Sequence, residues 1–138
     1  MNKKEKKAWA LAKKAHKGQK YGKKPYTNHI LKVYKILKTV TKDEDILCAA
    51  LLHDCVEDTQ VDYNQIKKEF GKRVADLVQE VTKDKSRSKD GEFHIKTKDA
   101  FIIKLADMVH NLSGEKKGYF EKKVKSLNQI CCELGAKK

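Results

Sequence analysis

Apolar residues recur along most of the chain at intervals of three and four, the spacing that gathers them on one side of a helix. From Lys3 to about His16, Ala8, Trp9, Leu11, Ala12 and Ala15 are set among lysines in this way, which predicts an amphipathic first helix that Gly18, Gly22 and Pro25 bring to an end. A second helix is predicted from near Thr27 to Lys38, with Ile30, Val33, Tyr34, Ile36 and Leu37 on its inner side and His29 in its first turn. Thr41 followed by Glu44 matches a capping box, so a third helix is expected to start there and to run through Asp58. Ile46, Leu47, Ala49, Ala50, Leu51, Leu52 and Val56 make it apolar on nearly every side, the mark of a central, buried helix.

Further on, Asp62 is suited to cap a fourth helix that Gly71 ends after Phe70, and Val74, Leu77, Val78 and Val81 form the stripe of a fifth. Between Lys83 and Lys96 the pattern fails: KDKSRSKDGEFHIK is mostly polar and aperiodic, and reads as a mobile loop. Thr97 then caps a helix whose run AFIIKLADMVHNL is again apolar nearly all round, and a last helix is predicted from about Lys117 to Leu134. No segment alternates with period two and no repeat is present. The expected fold is an all-α helical bundle, one domain over residues 1–138 with a loop at about 83–96.

Composition narrows the function. A hydrophobic fraction of 39% beside a charged fraction of 37% suits a small globule with a thin core and a heavily solvated surface. The net charge is +13, yet Arg73 and Arg87 are the only arginines. Readers of nucleic acid favour arginine forks, whereas lysine spread over every helix is more often a solvating surface. No nucleic-acid partner is therefore expected, although the field would attract a small phosphorylated anion. Cys48, Cys55, Cys131 and Cys132 form no CxxC pair, which reads as reduced thiols of a cytoplasmic protein. Lysines interrupt the apolar residues of the amino terminus, so neither a signal peptide nor a membrane span is expected.

The chemistry lies where the pattern is most apolar. The stretch CAALLHDCVEDT closes the third helix with His53, Asp54, Glu57 and Asp58, which on a regular helix occupy less than half the circumference. Burying carboxylates costs several kcal/mol each unless a positive group compensates, and a metal ion does so compactly. The second apolar helix repeats the anomaly with Lys104, Asp107 and Asn111 on one face. With His29 added, two imidazoles and two carboxylates stand as candidate ligands: His29, His53, Asp54 and Asp107. Mixed nitrogen and oxygen donors suit Mn²⁺, Fe²⁺ or another borderline divalent ion. The plainer reading stands beside this one: a His-Asp pair is common by chance, and Asp107 can simply pair with Lys104. His16, His94 and His110 lack such company and read as surface or packing residues.

Taken in order, PYTNH, LLHDCVEDT, FGKRVADLVQEVTK and IKLADMVHNL resemble the HD-domain metal-dependent phosphohydrolases, and among them the hydrolase domain of the RelA/SpoT homologues, including small stand-alone alarmone hydrolases. The resemblance runs from about Ala15 to Leu112, and no synthetase domain is expected beside it within these 138 residues. It implies an HD-domain helical bundle with one Mn²⁺ on His29, His53, Asp54 and Asp107. It further implies that Glu57 and Asp58 position and deprotonate the attacking water, and that Asn111 meets the substrate's sugar and phosphate. The implied reaction is hydrolysis of the 3′ pyrophosphate from guanosine tetra- or pentaphosphate, giving GDP or GTP and pyrophosphate. Lys20, Lys23, Lys24 and Lys104 are the cations expected to meet the remaining phosphate charge. Family members usually carry arginine where Lys20 stands.

Two other functions compete. The same centre would serve another nucleotide phosphohydrolase, acting on NADPH or on a nucleoside mono- or triphosphate. A basic module binding RNA or an acidic protein is the rival of a different class, supported by the charge but lacking a stacking aromatic platform.

Overall fold

The computed structural model describes residues 1–82 and 95–112, and within them the bundle predicted from the periodicity is all-α apart from one short hairpin. Helix α1 spans Lys3–Ala15 and opens on a capping box, in which Asn2 accepts from the Glu5 amide and Glu5 reaches back to Asn2. Strands β1 (Lys20–Tyr21) and β2 (Lys24–Pro25) pair antiparallel, Lys20 opposite Pro25 and Tyr21 opposite Lys24. Gly22 makes the turn at φ 65°, where a side chain would strain the backbone. Two residues per strand are too few to display an alternating pattern, which is why no strand was expected here.

Helix α2 (Tyr26–Lys38) starts directly after Pro25, whose fixed φ of −56° suits a helix entrance. Helix α3 (Glu44–Leu52) is buried at every position from Ile46 to Leu52 and packs against α1 and α2 and against the later helices α6 (Lys72–Glu80) and α7 (Lys98–Leu112). Between them, α5 (Tyr63–Phe70) is capped by Asp62 and separated from α6 by Gly71. The core is continuous, with Ile30, Leu37, Leu51, Leu52, Ile66, Val74, Val78 and Ile103 all essentially inaccessible.

Two expectations about α3 are corrected. Its cap is Asp43 rather than Thr41: the Asp43 carboxylate accepts from the amides of Asp45 and Ile46 at 3.0 and 3.4 Å, while the Thr41 hydroxyl accepts from the Asp43 amide at 3.1 Å. Arg73 bridges that same carboxylate to Asp99 on α7, tying three elements together. Nor does α3 run through Asp58. The His53 amide reaches back only three residues, to Ala50, and Asp54 adopts φ −101°, ψ 0°, so the helix stops and a single turn, α4 (Cys55–Asp58), restarts at a new angle.

At the start of α7 the Thr97 hydroxyl accepts from the Ala100 amide at 3.2 Å, as a cap should. Of the expected loop at about 83–96, Ile95 is buried and Lys96 exposed. The rest of it, His94, the predicted last helix, Cys131 and Cys132 lie outside the described residues. Among the described residues Cys48 and Cys55 are free and buried, and no helix is long and apolar enough to cross a membrane.

Candidate metal centre

The break in α3 decides the geometry. Adjacent residues of a regular helix point about 100° apart, but at this turn His53 and Asp54 converge, with His53 Nε2 and Asp54 Oδ2 2.8 Å apart. α2 brings His29 and α7 brings Asp107 to the same point: His29 Nε2 lies 2.8 Å from Asp107 Oδ1 and 4.0 Å from Asp54 Oδ2, and His53 Nε2 lies 3.5 Å from Asp107 Oδ1. One donor atom from each of the four residues falls within 4.8 Å of the others. A single ion with bonds near 2.1 Å separates its own ligands by at most about 4.2 Å, so the group needs to close by only a fraction of an ångström.

The donors themselves argue for a cation. His53 Nδ1 donates to the Ala50 carbonyl at 2.6 Å, so the neutral ring carries its lone pair on Nε2. That atom is buried, makes no hydrogen bond and faces two carboxylate oxygens. A lone pair turned toward two anions in a buried place is unfavourable without a proton or a metal between them.

Electrostatics follow the same logic. Burial alone would push the His53 imidazole down, but the Asp54 and Asp107 carboxylates together hold it well above the usual histidine value. Burial likewise works against the ionised form of Asp54, yet His53 and the Tyr26 hydroxyl lower it to about 2. Asp107 is also held well below the carboxylate range despite its burial, chiefly by Lys104 and then by the two histidines. Both carboxylates are therefore anionic at any ordinary pH.

Around these four, the other predicted residues take varied places. Asn111 donates to Asp107 Oδ1 at 3.3 Å and accepts from the Tyr21 hydroxyl at 2.5 Å. Lys104, expected at a substrate phosphate, is buried instead and donates to Asp107 Oδ2 at 3.1 Å, because three residues along α7 set the two side chains on one face. The pairing weighed as the plain alternative thus exists, alongside the four-residue cluster. Glu57 is half-buried and Asp58 exposed on α4. Asp58 lies close enough to Tyr26 and Cys55 to raise both, Cys55 being pushed up to about 12, mainly by burial. Lys20, Lys23 and Lys24 are exposed on the hairpin.

Three residues beside the centre escaped the sequence reading. Tyr26 donates to Asp54 Oδ2, and burial followed by that carboxylate keeps its phenol protonated far above the usual range. Its signal was its place three residues before His29 in PYTNH. Tyr21 stacks on the His29 ring at 4.7 Å and 11°, bringing the lysine-bearing hairpin against the centre. His110, set aside as a surface or packing residue, meets His29 Nδ1 with its own Nδ1 at 2.5 Å. Burial, then the neighbouring His29 and Lys32, lowers its pKa. His16 does pack, buried between Gln19 and Cys55 with its ring 4.9 Å from Tyr26.

Comparison with known proteins places this arrangement. Residues 8–129 match the HD domain family. A guanosine-3′,5′-bis(diphosphate) 3′-pyrophosphohydrolase, MESH1 of Drosophila melanogaster, is 42% identical over 97 residues, which are 64% of this chain and 54% of that protein. MESH1 of Xenopus tropicalis is 36% identical over 125 residues, 81% of this chain and 70% of that protein. The bifunctional (p)ppGpp synthase/hydrolase SpoT of Escherichia coli is 36% identical across 76% of this chain, which spans 17% of that longer protein. The chain thus spans about half the length of the Drosophila relative. A solved structure of a metazoan SpoT orthologue described as hydrolysing ppGpp superposes with a TM-score of 0.77 at 29% identity, over 97% of this chain and 86% of that one.

Proposed function

The chain belongs to the HD domain family, and from that membership we propose that it is a Mn²⁺-dependent hydrolase removing the 3′ diphosphate from guanosine 3′,5′-bis(diphosphate). The observation that carries the metal is the shared point of His29, His53, Asp54 and Asp107, with the His53 lone pair turned onto two carboxylates. The substrate rests on the activity named for the Drosophila and Xenopus relatives. Mixed imidazole and carboxylate donors suit Mn²⁺. When bound, the ion supplies a water of lowered pKa and neutralises charge that develops on the phosphate oxygens.

The remaining work falls to the chain's own groups. Glu57 and Asp58 take the proton of the attacking water as general base. That water adds to the phosphorus attached to the sugar's 3′ oxygen, the bond between them breaks, and GDP and diphosphate leave; the pentaphosphate gives GTP. Lys20, Lys23 and Lys24 on the hairpin meet the flanking phosphates, and Asn111 meets the sugar side of the substrate. Lys104 and Tyr26 act one step back, each holding a ligand carboxylate by its hydrogen bond.

The test is an assay of the purified chain with Mn²⁺ against guanosine tetraphosphate, NADPH and nucleoside mono- and triphosphates, with products identified. Release of GDP and diphosphate from the tetraphosphate, lost in His53→Ala, is expected. Retained Mn²⁺ with the tetraphosphate intact and another nucleotide consumed would overturn the substrate and leave the metal.

A further inference from the structure

A histidine that gives one ring nitrogen to a metal must carry its hydrogen on the other, and the partner of that hydrogen fixes the ring. The two candidate ligand histidines are fixed in different ways. His53 is held by the backbone, its Nδ1 on the Ala50 carbonyl at 2.6 Å. His29 turns Nε2 to the shared point, 2.8 Å from the Asp107 carboxylate; when Nε2 binds the ion, the ring's hydrogen must sit on Nδ1, and there the partner is the side chain of His110 at 2.5 Å. For that bond to form, His110 must present a lone pair at Nδ1 and keep its own hydrogen on Nε2.

We infer that His110 is a positioning residue for the metal centre: it accepts the Nδ1 hydrogen of His29 and so holds that imidazole in the tautomer and orientation in which Nε2 is free to bind the ion. The inference rests on the reading of His29 as a ligand. Its surroundings support it. The His29 and His110 rings lie 4.7 Å apart, and Tyr21 stacks on His29 at 4.7 Å while approaching His110 at 5.5 Å, so the three rings form one packed group. α7 then serves the centre three times within five residues: Asp107 as ligand, His110 on the ligand of another helix, and Asn111 on Asp107 itself.

An asparagine at position 110 keeps an acceptor oxygen near the place of Nδ1, whereas an alanine removes it. Mn²⁺ affinity, read from the spin-resonance signal of the free ion, is therefore measured for the wild type, His110→Ala, His110→Asn and His53→Ala, with unfolding of each metal-free protein as the check on folding. His110→Ala is expected to weaken Mn²⁺ roughly 10- to 100-fold, with His110→Asn restoring it to within a few-fold. Wild-type affinity in His110→Ala, with binding lost in His53→Ala, would overturn the role of His110 alone. Equal losses in the alanine and asparagine variants would also overturn it, since the acceptor would then be irrelevant. Unchanged binding in His53→Ala as well would overturn the metal centre and this inference with it.

Discussion

At the scale of single residues, the centre is a set of donors whose protonation is set by one another. With no metal bound, His53 is held protonated above its ordinary value by Asp54 and Asp107 against the effect of burial. A folded-state pKa raised above the unfolded one contributes stability that is complete below about pH 6.5 and fades as pH rises through the raised value. Metal binding runs the other way, since the ligand must be neutral and the ion displaces a proton. Mn²⁺ affinity is therefore expected to climb with pH throughout the range below the raised His53 value and then level off. Calorimetric titrations in buffers of different ionisation enthalpy should show about one proton released per ion below that plateau; pH-independent binding without proton release would contradict it. His29, His53, Asp54 and Asp107 were legible because ionisable groups stood in apolar runs. Lys104 was harder to read, because a lysine one turn from an acid suits the roles of partner and of substrate contact equally; the structure shows it on Asp107.

At the scale of elements, periodicity located the helices, but it does not register a break that preserves the apolar pattern. Ile46 to Val56 reads as one helix, and the stop at His53 rests on a backbone bond of the wrong span and on the Asp54 torsion angles. That stop is what lets neighbouring side chains meet at one point. Gly71 is a case where the punctuation was plain. It joins α5 to α6 at φ 99°, ψ 165°, where a side chain would meet no neighbouring atom yet the backbone itself excludes one. Gly71→Ala is thus expected to destabilise the fold by about 1–3 kcal/mol without changing Mn²⁺ affinity. Urea unfolding beside metal titration measures both, and an unaltered unfolding midpoint would refute the strain.

At the scale of the whole molecule, a chain of net charge +13 places its most constrained acids at the centre of its bundle. α3 packs against four helices, so its end is fixed from several sides, and α2 and α7 lean on it with His29 and Asp107. Such a frame suits a preorganised site: the candidate ligands come from separate parts of the chain and meet only when the core is packed. The helical class followed from hydrophobic spacing, whereas the aromatic cover of Tyr21 and Tyr26 did not, because contacts between a hairpin and two helices leave no local pattern. The most direct measurement is the Mn²⁺ stoichiometry of the purified chain and of four variants, His29→Ala, His53→Ala, Asp54→Ala and Asp107→Ala. One ion per chain in the wild type, with affinity lost in each variant while the fold is retained, is the predicted result. A wild type that takes up no divalent ion, or variants that bind it as well as the wild type, would contradict the account.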